Sequence, residues 1–258
     1  MYKLNKKGNK MEQFIKIENM NKSYKSTQIL KNISFGFEKG KIYGFVGPNG
    51  AGKTTTIKIL SGLTKADSGL ILYQNQKVAS LYEALKGKLG ALVNAPSFYG
   101  DLSAKENMQI ICKLKEINEI EIDEILKAVG LEGVGKKKCR KFSLGMKQRL
   151  GIAEALVGNP QLLILDEPVN GLDPQGMYEI RELIENLREK QNTTIMISSH
   201  LLSELEMICD ELIVIDKGQI KFCGDLNRLK SVTGSEKLEE CYFKILKSGG
   251  EYDKVRME

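Results

Sequence analysis

Residues Gly47, Pro48, Asn49, Gly50, Ala51, Gly52, Lys53 and Thr54 follow the pattern G-x-x-x-x-G-K-[ST], whose spacing suits a chain of phosphates. Glycines let backbone N–H groups converge on phosphate oxygens, and the start of a following helix adds partial positive charge. Lys53 supplies a point charge between the outer phosphates, and the Thr54 hydroxyl, with Thr55 beside it, can serve Mg²⁺. A second constellation is the apolar run 162–165 ending in Asp166, Glu167 and Pro168. Carboxylates at such a strand end lie where an α/β sheet presents its ligands. Asp166 is suited to the water shell of magnesium, and Glu167 to polarising an attacking water as general base. The single histidine, His200, follows another β-rich run and is placed to sense a γ-phosphate and fix the attacking water. Taken singly, these patterns also fit a tight turn, a capping strand end and an ordinary histidine. Their order along one chain favours the chemistry.

The elements that must carry these groups are legible as periodicities. Residues 41–46 read as a short buried strand running into the glycine-rich loop, and 53–60 as the helix after it. Runs at 162–165, 193–198 and 211–215 are further short strands, and Met177, Ile180, Leu183, Ile184 and Leu187 form a helical stripe between the first two. Strands alternating with helices predict an α/β fold with a mainly parallel sheet. Ile33, Phe35 and Phe37 alternate with polar or small neighbours, which predicts an N-terminal antiparallel β subdomain. The stretch at about 95–158 is rich in Glu, Lys, Leu and Ile at helical spacing and reads as an inserted α-helical subdomain. A hairpin turning at Asp216, Lys217 and Gly218, and a last helix over 236–247 ended by Gly249 and Gly250, complete the reading.

Bulk properties exclude several classes. The 258 residues, 41% hydrophobic and 28% charged, have an ordinary globular balance, which excludes disorder of the whole chain. No apolar stretch approaches the ~18–20 residues that a spanning helix needs. The net charge is +6, and Lys3, Lys6, Lys7 and Lys10 concentrate much of it in a basic tail at 1–10, read as solvated and without a secretory signal. The ordered domain is expected over 11–248, with a C-terminal tail at 249–258. Five cysteines without a C-x-x-C pair fit a reducing cytoplasm.

With these motifs the chain resembles the ATP-binding subunit of ABC transporters, a P-loop NTPase of ABC type. The most specific element is Phe142-Ser143-Leu144-Gly145-Met146-Lys147-Gln148, similar to the family signature LSGGQ and lying upstream of Asp166 as in the family. A Ser hydroxyl, a glycine permitting close approach and a helix start all favour an anion. The resemblance implies that Ser143 and Gly145 of one protomer contact the γ-phosphate of ATP held by the Lys53 loop of another. The pair, a homodimer or a heterodimer with a related subunit, would then be ATP-dependent and head-to-tail. It also implies that Tyr24 stacks on adenine and that Asp173, in Gly171-Leu172-Asp173, belongs to the segment linking the two sites. Asn94 stands where the family commonly has glutamine at the magnesium site, one methylene shorter, so direct ligation requires the loop to come in by roughly 1.5 Å. Met146 and Leu144 also depart from the signature and leave Ser143 and Gly145 in place.

Residues 90–99 and 143–152 are similar to the lantibiotic and bacitracin subgroup, which exports or protects against peptide antibiotics. The resemblance therefore implies Mg·ATP hydrolysis at the inner face of the cell membrane, through a separate permease docking near 96–101. Rival readings are a soluble ABC-type ATPase acting on ribosomes or DNA, and a nucleotide-gated regulatory module. The basic cluster Lys136, Lys137, Lys138, Arg140 and Lys141 lacks interleaved aromatics and reads as a solvated face, so no nucleic acid partner is expected.

Overall fold

Alternating apolar side chains build the first sheet. In strands β1 (Ile15–Tyr24) and β2 (Thr27–Phe37) the antiparallel register pairs Ile15 with Phe37, Ile17 with Phe35 and Met20 with Ile33, and all six side chains are buried. A register shift after Ile17, where Asn19 takes φ 52°, brings Met20 to the inner face. Strand β4 (Ser68–Tyr73) pairs with β1, and β5 (Gln76–Val78) returns on β4, giving the order β2-β1-β4-β5. This is the antiparallel subdomain that the alternation predicts.

The computed structural model describes residues 14–118 and 121–248. The expected tails at 1–10 and 249–258, with the helix-ending Gly249 and Gly250, lie outside the described residues. The chain divides into two units, described by 14–84 with 198–248 and by 85–118 with 121–197. In the first unit, β3 (Ile42–Val46) runs parallel to β9 (Glu211–Asp216), and β9 pairs antiparallel with β10 (Gln219–Asp225). The two-residue turn between them has Lys217 at φ 47° and Gly218 at φ 78°, the conformation whose twist matches a hairpin. Helix α1 (Lys53–Leu60) follows β3, then α2 (Leu81–Ala84).

In the second unit β6 (Leu89–Leu92) and β7 (Leu162–Asp166) are parallel, with β8 (Thr194–Ser198) next in the order β8-β7-β6. Helix α3 (Ala104–Leu114) opens on a reciprocal cap, Ser103 accepting from the Glu106 N–H and Glu106 accepting from the Ser103 N–H, and α4 (Ile122–Ala128) follows. Helix α5 (Leu144–Leu156) lies hard on β6: a Cβ at Gly90 would stand 2.1 Å from the Ala155 carbonyl oxygen. Helix α6 (Pro174–Gln191) buries Ile180, Leu183, Ile184 and Leu187, the stripe read from spacing. Back in the first unit, α7 (Leu202–Ile208), α8 (Leu226–Thr233) and α9 (Leu238–Lys247) complete the elements, α9 burying Leu238, Cys241 and Ile245.

One packing choice carries a cost. Burial pushes the Glu154 carboxyl of α5 up to about 7 against the pull of Lys115, and burial lowers the Lys115 ammonium. Lys115 Nζ donates to the Val157 carbonyl at 3.0 Å. A folded pKa above the unfolded value of 4.5 means that the folded chain binds the extra proton, so this group's contribution to stability is lost as pH rises from there through about 7. Glu154→Gln is expected to stabilise the protein at pH 8 by on the order of 1–3 kcal/mol and to flatten the decline between pH 5 and pH 8. Urea unfolding at the two pH values checks this, and an unchanged pH dependence in the variant contradicts it.

Candidate functional site

The phosphate loop is braced from behind by two elements of its own unit. Gly47 follows the buried strand β3, and a Cβ there would stand 2.1 Å from the Ile215 carbonyl oxygen. Ala51 N–H closes the loop on the Pro48 carbonyl at 3.1 Å, and the Ala51 carbonyl accepts Gly218 N–H at 2.9 Å. The Gly218 carbonyl in turn accepts Lys31 N–H of β2 at 2.7 Å. The β9–β10 turn is thus wedged between the loop and β2, and a Cβ at Gly218 would lie 2.0 Å from the Ile29 carbonyl oxygen. Nothing in the sequence beyond a turn signal marks Gly218 for this role.

Helix α1 starts at Gly52, φ 113°, and no side chain caps its first N–H groups, which leaves them for an anion. Lys53 Nζ donates to the carbonyls of Gly47 and Pro48, holding the ammonium over the loop. Pro48, Asn49, Gly50 and Thr54 are exposed, and Thr55 is half-buried. The next threonine, Thr56, is buried and returns its hydroxyl to the Gly52 carbonyl at 3.0 Å. Tyr24 is 46% exposed at the end of β1, with Lys22 Nζ 5.4 Å from its ring centroid. His200 is exposed in the same unit, just after β8.

The second unit holds the acids and the signature. Asp166, 7% exposed, ends β7, and its Oδ2 accepts the Asn94 N–H at 3.4 Å. Asn94 takes φ 62°, a conformation that asparagine tolerates better than glutamine. The main chain therefore brings Asn94 beside Asp166 through its N–H rather than its side chain. Glu167, half-buried, takes φ 51°, a left-handed conformation that costs of order 1–3 kcal/mol for a residue with a Cβ. Its carbonyl accepts Asn170 N–H at 3.2 Å and Gln148 Nε2 at 3.4 Å.

Ser143 is the exposed N-cap of α5: its Oγ accepts the Met146 N–H at 3.2 Å, leaving the hydroxyl proton to donate outward. A Cβ at Gly145 would make only an ordinary 3.7 Å contact with Leu172, so the chain's own packing does not require glycine there. Asp173 caps α6, accepting Gly176 N–H at 2.8 Å, and is exposed. In the turn 96–101, buried Asn107 accepts the Tyr99 N–H at 2.8 Å and donates to the Tyr99 carbonyl at 3.1 Å, and the Tyr99 ring is 64% exposed. Of the basic cluster, Arg140 pairs with Asp101 at 2.8 Å, Lys138 with Glu106 at 3.8 Å, and Lys137 Nζ lies 5.9 Å from the Phe142 ring centroid.

Within the first unit, then, lie Tyr24, the loop from Gly47 to Thr55, and His200; within the second lie Asn94, Ser143, Gly145, Asp166, Glu167 and Asp173. Among the described residues no group of three or more His, Cys, Asp or Glu could hold a metal by itself, and no helix is long and apolar enough to cross a membrane.

Comparison with known proteins places these features in company. The ABC transporter family matches residues 30–170. The lantibiotic transport ATP-binding protein SrtF of Streptococcus pyogenes is 44% identical over 228 residues, which span 88% of this chain and 95% of that protein. The bacitracin transport ATP-binding protein BcrA of Bacillus licheniformis is 46% identical over 211 residues, 81% of this chain and 69% of that one. Among solved structures, an ATP-binding subunit of an ABC transporter superposes with a TM-score of 0.80 at 26% identity, covering 90% of this chain and 99% of the other. A dimeric ATP-binding cassette in a post-hydrolysis state, bound to ADP and Pi, gives a TM-score of 0.74 at 25% identity over 82% and 98% of the two chains.

The wedge at Gly218 yields a test independent of these likenesses. Gly218→Ala is expected to cost at least about 2 kcal/mol, from the left-handed backbone and the overlap with Ile29, and to weaken nucleotide binding by shifting the loop. Gly234→Ala, also left-handed but with open space around the new methyl, is expected to cost about 1 kcal/mol and leave binding unchanged. Chemical unfolding and nucleotide titration of both variants check the contrast.

Proposed function

The chain belongs to the ABC transporter family as an ATP-binding, ATP-hydrolysing subunit, and on that premise we propose that it powers export of, or protection against, a peptide antibiotic or similar amphiphile through a separate membrane permease. One observation carries the reading. The same chain has a phosphate loop opening α1 and a second anion-favouring helix start, at Ser143, whose Gly145 its own packing does not require. An acceptor site in trans supplies that requirement: the γ-phosphate bound to the Lys53 loop of a second protomer. Relatives named for lantibiotic and bacitracin transport support the cargo class.

In this mechanism Tyr24 stacks on adenine, and the loop from Gly47 through Thr55 holds the phosphates with the Lys53 ammonium and its backbone N–H groups, apart from Pro48, which has none, and Ala51, whose N–H closes the loop on Pro48. Magnesium takes hard oxygen ligands, and the Thr54 hydroxyl, the Asp166 carboxylate and Asn94 are each of the chemistry that would hold it; it would supply neutralisation of phosphate charge. Glu167 takes the proton of the attacking water, and His200 hydrogen-bonds the γ-phosphate and orients that water. Ser143 donates its hydroxyl proton to the same phosphate from the partner protomer, and Asp173 sets the segment that joins the two sites. ATP binds the associated pair better than the separated protomers, so hydrolysis withdraws the preference for closure. The helical stretch at about 95–158 carries the motion outward, with the turn at 96–101 and its exposed Tyr99 meeting the permease at the inner face of the membrane.

Two variants separate binding from chemistry. Glu167→Gln is expected to keep ATP affinity while turnover falls at least ~10²-fold, and Lys53→Ala to abolish useful affinity because phosphate charge is left uncompensated. Isothermal titration and phosphate release measure these, and normal turnover in the first or unchanged titration in the second removes the assigned role. The transporter assignment is tested by affinity purification of the tagged protein from detergent-solubilised host membranes. A polytopic membrane protein in stoichiometric amount is expected; recovery only with ribosomes, DNA or soluble proteins overturns it.

A further inference from the structure

We propose that Gln148 is a positioning residue that aims Glu167, and that through it α5 ties the phosphate-facing end at Ser143 to the general base of the same chain. The proposal rests on the role of Glu167 given above. Gln148 is 5% exposed, on a helix whose following residues Leu150, Ile152 and Ala153 are buried and apolar. A methionine of the same length would fill that space without the cost of burying an amide. The amide instead donates Nε2–H to the Glu167 carbonyl at 3.4 Å, reaching across from α5 to the end of β7.

That carbonyl belongs to a left-handed residue, so the bond acts where the backbone is least secure. Fixing the carbonyl fixes the peptide plane on the C-terminal side of Glu167, and so helps hold the backbone from which its side chain departs. The first turn of α5 is seated on the same loop: Leu144 Cδ2 lies 2.9 Å from where a Gly171 Cβ would stand, and Leu172 flanks Gly145. A γ-phosphate drawn to Ser143 from the partner protomer therefore acts on the helix whose second turn bonds the Glu167 carbonyl. Occupancy of one site biases the geometry of the other.

The test is a double-mutant cycle on the full chain, with ATP hydrolysis followed under single-turnover and steady-state conditions. Gln148→Met is expected to lower kcat about tenfold with the KM for ATP unchanged, the scale of one lost hydrogen bond. In the Glu167→Gln background the same substitution is expected to cost nothing further, because its effect passes through Glu167. If Gln148→Met does not fold, Gln148→Glu, which sets an acceptor against an acceptor, is read in the same cycle with a larger expected loss. Unchanged kcat in the single variant, or losses that multiply in the double, overturn the proposal. Normal turnover of Glu167→Gln alone instead overturns the general-base assignment beneath it, so the two failures are told apart.

Discussion

A glycine-rich loop that leaves a buried strand must have its carbonyls and its back face satisfied from within, and much of the first unit follows from that demand. Leaving a buried carbonyl unpaired costs about 1–3 kcal/mol. Here the Ala51 carbonyl is met by Gly218 N–H and the Gly218 carbonyl by Lys31 N–H, so the loop, the β9–β10 hairpin and β2 share one chain of hydrogen bonds. The hairpin register, the parallel pairing of β9 with β3 and the glycine at the turn are set together by this brace. A binding loop on the surface thereby gains the rigidity of a sheet.

The second unit meets a different demand, that of presenting carboxylates at a strand end whose run is wholly apolar. Leu162 through Leu165 are fully buried, and α5 comes close enough to cover β6 only because Gly90 has no side chain. Asp166 and Glu167 emerge where that packing stops, one bonded to the Asn94 backbone and the other carried on a left-handed residue. Helix α5 is at once the packing partner of the sheet, the carrier of Ser143 and, through Gln148, a contact of the acid loop.

How legible this was depends on the range of each interaction. The phosphate loop, the apolar run before Asp166 and the stripe along α6 are patterns of near neighbours, and the fold class follows from their alternation. Strands β4 and β6 escaped because Ser68–Tyr73 and Leu89–Leu92 gain their strand character from partners remote in sequence. The brace at Gly218, the backbone bond from Asn94 to Asp166 and the reach of Gln148 to Glu167 join residues that no spacing rule connects. For Asn94 the sequence raised a question of side-chain length, and the geometry recasts it as one of backbone conformation.

The left-handed backbone at Glu167 also bears on how such a chain ages under relaxed selection. Glycine suits that conformation at no steric cost and asparagine at little, whereas glutamate holds it against a standing penalty. Drift away from the acid is therefore downhill in folding free energy, while under the proposed general-base role it is uphill in catalysis. If the proposed general-base role holds, the strain at this bend is the stability that the position gives up for hydrolysis, and a glutamate→glycine change there would recover it with a loss of turnover.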